Sequence, residues 1–169
     1  YIDSTRKLSE YMSKKMFKYY DKTLIINNEL INKNKLSNPM IKARKEICSD
    51  LLLQDQILPS LGYKQLSTNY TFVRSLLELN GILRETEINI PQLDNGNLRF
   101  NNAHYIMKEI DTFIKSAEKK EVNLGDLFHI LKSKPYGLRD GYIVVLLAAM
   151  LREHRHNVVI RLKGIDQEL

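Results

Sequence analysis

Apolar side chains return at steps of three and four along much of this chain, a spacing that predicts helices. Leu8, Tyr11, Met12, Met16, Tyr19 and Tyr20 form the first such series, behind the capping types Asp3, Ser4 and Thr5, so an amphipathic first helix is expected. Residues 23–36 break the pattern. They are Asn-rich, with a short apolar stretch Leu24-Ile25-Ile26 and one possible helical turn over Asn28 to Asn32. A second long helix is expected from Asn38 to about Gln56, with Pro39 in its first turn, where a missing N–H costs nothing. Its buried stripe would be Ile41, Ile47, Leu51, Leu52 and Leu53. Pro59 and Gly62 interrupt. Ser67-Thr68-Asn69 then opens a third helix whose Phe72, Val73, Leu76, Leu77 and Leu79 run up to Gly81, a natural left-handed stop.

Residues 84–100 contain Pro91 and the turn-like Asp94-Asn95-Gly96-Asn97 and predict a loop or weak hairpin. This linker divides an N-terminal helical part, residues 1–83, from a C-terminal part, residues 101–169. In the latter a fourth helix is expected from Asn101 to about Lys119, with Ile106, Ile110, Phe113 and Ile114 inward, and a fifth from Asn123 to Lys132. The turn Lys134 to Gly141 launches a sixth, from about Arg139 to His154. Asn157 to Lys163 then begins a hairpin that turns at Gly164 and starts its second strand near Gln167. The fold class expected is mainly α, a multi-helix bundle ending in a winged-helix-like helix-turn-helix plus β-hairpin. The sixth helix departs from the usual winged helix. A reading helix needs an exposed polar face, whereas Tyr142 to Leu151 is apolar on every side and must be a core helix.

Charge changes the picture by its location. The 26 Lys and Arg against 20 Asp and Glu give a net charge of +6 in 169 residues. Residues 1–48 hold 11 basic and 5 acidic side chains, and the remainder holds 15 of each, so the whole excess is N-terminal. A hydrophobic share of 43% excludes disorder as the main state, and the length fits one ordinary domain or two small ones. The lone Cys48 forms no internal disulfide, which points to a reducing, cytoplasmic setting. The longest apolar run, Tyr142 to Leu151, is ten residues, far below the roughly 20 needed to span a bilayer, so no membrane partner is expected. The chain opens with Tyr1 and shows no signal-peptide pattern, and the expectation is a piece of a longer polypeptide.

Little in the sequence points to catalysis. The seven glycines are scattered and none sits in a Walker pattern. His154 and His156, two residues apart near a helix end, face different sides and make a poor chelate, and their ordinary role is interaction with the helix dipole. Cys48 reads as a buried structural thiol, and the carboxylate pairs Glu85/Glu87 and Glu109/Asp111 as solvated faces. No catalytic, cofactor or metal residue is therefore assigned. Two basic groups are candidates for nucleic acid. Arg6, Lys7, Lys14, Lys15 and Lys18 lie on the first helix, interleaved with Tyr11, Tyr19 and Tyr20. Arg139, Arg152, Arg155, Arg161 and Lys163 lie at the ends of the sixth helix and on the wing-like strand. For both groups the plain alternative is a solvated surface, with the tyrosines in a core or interface.

Two segments carry a resemblance. Asn28-Glu29-Leu30-Ile31-Asn32, Leu36-Ser37, Ala43-Arg44 and Leu51-Leu52-Leu53, then Leu61-Gly62 and Leu79-Asn80-Gly81-Ile82, make up the first. Pro135-Tyr136-Gly137-Leu138-Arg139-Asp140-Gly141 followed by Leu146-Leu147-Ala148-Ala149 is the second. From about Asn28 onward the chain resembles an internal segment of the large P-loop ATPases of bacterial phage-defence islands, the BREX-type and related families. The resemblance implies a non-catalytic module that relays between the ATPase core and DNA or protein partners, with ATP and Mg bound elsewhere in the parent. Its partners would be other regions of that ATPase, other defence-system proteins and DNA without sequence preference. It implies no catalytic role for the matching residues. Their physical reading is structural: Gly137 supplies an unusual φ, Asp140 caps the buried helix and Pro135 stiffens its entry. The alternative is a free-standing winged-helix transcriptional regulator, which would begin with Met and carry a polar recognition helix.

Overall fold

The computed structural model describes residues 5–28 and 37–167. Its helices are α1 (Thr5–Tyr19), α2 (Asn38–Leu53), α3 (Thr68–Val73), α4 (Leu98–Ser116), α5 (Leu124–Lys132) and α6 (Asp140–Leu151). Two antiparallel hairpins join them, β1 (Leu83–Arg84) with β2 (Glu87–Ile88), and β3 (Ile160–Leu162) with β4 (Ile165–Gln167). The expected Asp3-Ser4 cap, and all of the expected turn after Asn28, lie outside the described residues.

The core is built around α6, which buries nine of its twelve residues. A helix without a polar face has to be surrounded, and α2, α4 and α5 surround it. α2 contributes Met40, Ala43, Ile47 and Leu51, which share one face at three- and four-residue steps. Of the expected stripe, Ile47 and Leu51 are buried, whereas Ile41 and Leu52 are half-buried and Leu53 is 66% exposed. α4 adds Ala103, Ile106, Met107, Ile110 and Ile114, and α5 adds Leu127 and Leu131. Each fully buried side chain of this size is worth about 1.5–3 kcal/mol. The buried side chains form one cluster that draws on both sides of residues 84–100.

Side-chain caps set the helix starts. Ser67, Asn97 and Asn123 each accept a backbone N–H of the turn they open, from Tyr70, Phe100 and Gly125. α4 accordingly begins at Leu98, ahead of the expected Asn101. Asp94 to Asn97, expected as a turn, serves this cap: the Asn101 side chain brackets Asp94, donating to its carbonyl at 2.8 Å and accepting its N–H at 2.7 Å. The tight turn of the first hairpin falls earlier, at Glu85-Thr86, between Arg84 and Glu87. α3 widens into a π-helical turn over Arg74–Glu78, where the Leu79 N–H reaches the Arg74 carbonyl. Buried Asn80 donates to the carbonyls of Ser75 and Leu76 there.

At α6 the expected cap is corrected. Arg139 occupies the N-cap position without a side-chain cap bond, and Asp140 instead pairs with Lys132 at the end of α5, 2.8 Å away. α6 is followed by a 3-10 turn, Arg152–His154, and then by the second hairpin. There Lys163 and Gly164, both left-handed at φ 51° and 80°, make the two-residue turn that antiparallel strands favour. The second strand starts at Ile165, ahead of the expected position. Among the described residues no helix is long and apolar enough to cross a membrane.

Candidate docking site

The basic series of the first helix lies on α1, and α1 buries none of its residues. Leu8, Tyr11, Met12, Met16, Phe17 and Tyr19 are 46–61% exposed. At about 100° per residue, Leu8, Met12, Met16 and Tyr19 fall within an arc of about 80°, a narrow apolar seam. Lys7, Lys14 and Lys18 occupy a second arc of about 40°, next to Tyr11 and Lys15. Arg6 is held by Glu10 at 3.3 Å, and the Lys15 ammonium lies over the Tyr11 ring, 5.6 Å from its centre. Lys14 and Lys18 make no ion pair among the described residues.

The chain behind α1 is fastened to the body. Tyr19 stacks under the Lys134 ammonium at 4.0 Å, and the Lys22 N–H donates to the Pro135 carbonyl at 3.3 Å. Lys22 also lies over the Tyr105 ring, the Asn102 amide donates to the Thr23 carbonyl at 2.8 Å, and Leu24 is buried. Asn28 donates to the Ser75 hydroxyl at 3.1 Å. Residues 19–28 thus form a strap that crosses α4 and reaches α3, with α1 extending from its end.

The Pro-Tyr-Gly turn is the socket for this strap. Gly137 has φ +63°, and a Cβ there would stand 2.5 Å from the Tyr20 ring, so both conformation and space demand glycine. Tyr136 is buried beneath, its hydroxyl donating to Glu109 at 3.1 Å. Burial, then the Glu109 carboxylate, push its pKa up to about 12, so it remains a neutral donor.

The second basic group is dispersed. Arg139 is exposed at the start of α6, Arg155 is half-buried, and Lys163 is exposed on the hairpin tip. Arg161 is engaged by Asp166 at 2.7 Å and by Glu121 at 2.5 Å, which raise its pKa. Arg152 is only 6% exposed. Its guanidinium donates to the carbonyls of Leu51 at 2.6 Å and Asp55 at 3.1 Å, and so closes the C-terminal end of α2, where helical carbonyls lack partners. The expectation that Arg152 faces a partner is therefore replaced by a packing role.

Beside Arg152 lies an open cleft of about 640 Å³, lined by Asp55–Ile57, Thr86–Asn89, Arg152 and Glu153. Its carboxylates, Asp55, Glu87 and Glu153, make no ion pair among the described residues. No local sequence signal marks this cleft, because three separate segments converge to form it. Elsewhere, burial raises the Cys48 thiol to about 11, with Arg44 opposing, which leaves it inert as expected. Among the described residues no group of three or more potential ligands is placed to hold a metal. Comparison with protein-family models, with curated proteins and with solved structures finds no match.

Proposed function

We propose that this chain is a non-catalytic helical module of a large bacterial phage-defence ATPase, in which α1 is an arm that meets DNA or a protein partner and the α2–α6 body is its mount. α5, α6 and the β3–β4 hairpin form the winged-helix-like end of that body. The observation that carries the reading is the contrast along the first 28 residues. The strap is hydrogen-bonded at several points and buried at Leu24, whereas the helix it holds out buries nothing and carries most of the charge excess. A helix with an uncovered apolar seam and a separate lysine face is suited to joining partners, and the relay role follows from that pairing.

For DNA, the arm supplies charge without a reading surface. Lys7, Lys14 and Lys18 can meet phosphates, while α6, in the position of a recognition helix, is enclosed by the core. The regulator alternative therefore lacks its reading element. Titration of labelled duplex DNA against the purified chain tests this. Binding should be weak and indifferent to sequence, and three phosphate contacts should cost about 40-fold in affinity between about 50 and 200 mM salt. Lys14→Glu with Lys18→Glu should flatten that dependence. Tight, salt-insensitive, sequence-selective binding would overturn the module reading in favour of the regulator.

A further inference from the structure

Three tyrosines along the arm and its mount each lie beneath a lysine ammonium. Lys15 stands 5.6 Å from the centre of the Tyr11 ring, Lys134 4.0 Å from that of Tyr19 and Lys22 4.5 Å from that of Tyr105. All three tyrosines remain open to solvent, at 49%, 52% and 37%. We propose that this alternation of rings and cations is a binding surface for single-stranded nucleic acid, with bases stacked on the tyrosines and phosphates held by the lysines. The inference rests on α1 being a docking arm and names the class of its ligand.

The three pairs follow one another along the fold. Tyr11, Lys15 and Tyr19 come at four-residue steps, so each is turned only about 40° from the last along one side of α1. The series passes to the body at Lys134, whose neighbour Pro135 accepts the Lys22 N–H at 3.3 Å, and Lys22 carries it on to Tyr105 of α4. Along the helix Tyr11 and Tyr19 are about 12 Å apart, roughly the length of three to four stacked bases. Charge points to a polyanion. Residues 11–28 hold Lys14, Lys15, Lys18 and Lys22 against Asp21 alone, and Glu109, one turn beyond Tyr105, is held by the Tyr136 hydroxyl. The rings decide which polyanion. A duplex keeps its base faces stacked inside and meets a surface like this one with phosphates, for which lysines suffice, whereas an unpaired base has a free π-face to lay on a tyrosine. An ammonium claims one face of each ring, and the ring surface left in water is where a base can lie. Every base has such a face, so no sequence preference is expected.

Fluorescence anisotropy of the full chain tests the proposal, with a labelled oligothymidylate of about twelve nucleotides, its uridine ribo-counterpart and the duplex form, all at about 50 mM salt. One or both single strands should bind at least about tenfold more tightly than the duplex and quench the tyrosine emission, which no Trp obscures. Tyr11→Leu/Tyr105→Leu, which keeps every lysine, should weaken single-strand binding at least about tenfold, with duplex binding and helical circular dichroism unchanged. Tyr11→Leu alone, on a helix that buries nothing, should weaken it about fivefold. Tyr11→Phe/Tyr105→Phe, which keeps the rings, should bind as the wild type does. Equal affinity for single strand and duplex, leucine variants that bind single strands undiminished, or polyglutamate held as tightly as the oligonucleotide would each overturn the proposal. If duplex DNA is still bound with the expected salt dependence, the docking-arm reading stands; a chain that binds neither form overturns the proposal and also removes DNA from that reading.

Discussion

α1 and α6 are helices of similar length, fifteen and twelve residues, and they sit at opposite extremes of the fold. α1 is two-sided, with a seam of Leu8, Met12, Met16 and Tyr19 and a separate lysine face, yet it buries none of its residues, and only Tyr19, under the Lys134 ammonium, is tied to the body. α6 has no sides at all and is enclosed by α2, α4 and α5. An amphipathic pattern states that a face is suited to cover, and it does not state who supplies the cover. A uniformly apolar helix leaves no such freedom, because any exposed side would be a loss. The charge excess follows the same division: α1, which buries nothing, carries a net +4 of the chain's +6, and residues 49–169 are balanced.

If that division is right, the largest effect should come from α6. Leu146→Ala removes a fully buried side chain from the centre of the core. It should cost about 2–5 kcal/mol in urea unfolding, the range for cavities that surroundings fill only in part. A loss below about 1 kcal/mol would show that α6 is less enclosed than its burial implies. The next effect lies at the junction between the two regions. Gly137→Ala places a methyl group against the Tyr20 ring at a left-handed φ, so roughly 1–3 kcal/mol should be lost. Hydrogen exchange would locate the damage: the Lys22 amide, which donates to Pro135, should lose protection, while amides within α6 respond only through the global change. Unchanged protection at Lys22 would mean that the strap does not depend on its socket.

The sequence carries these regions unequally. The apolar run Tyr142 to Leu151 announces a buried helix by itself, and the observed α6 begins at Asp140 and ends at Leu151. The first strand of the hairpin after it was also legible, since the β-branched run Val158-Val159-Ile160 precedes Gly164. Arg152 was not legible as a core residue. Arginine at a helix end is ordinarily solvated, and the carbonyl of Leu51 that holds it lies about a hundred residues away in sequence. Asp140 misled for a related reason: its type suits a cap, but the Lys132 ammonium competes for it successfully across the turn. The cleft of Asp55, Glu87 and Glu153 was invisible, because each of these residues reads alone as an ordinary surface acid. Of the basic candidates, those on α1 could be placed from periodicity, whereas Arg161 could be judged only once Asp166 and Glu121 were seen around it.

The smallest expected effect is the sharpest test of the comparison. Met12→Ala and Leu8→Ala truncate side chains as apolar as those of α6, so a measure of hydrophobicity alone would rank them with core substitutions. Both side chains are already about half in water, however, and among the described residues no neighbouring element buries them. Truncation leaves no cavity, and alanine is at least as good a helix former as either residue. Unfolding of the dilute chain should therefore shift by no more than about 0.5 kcal/mol for each variant. A loss of about 2 kcal/mol or more under those conditions would mean that the seam is covered by the chain's own body, and α1 would then belong with α6 as part of the core.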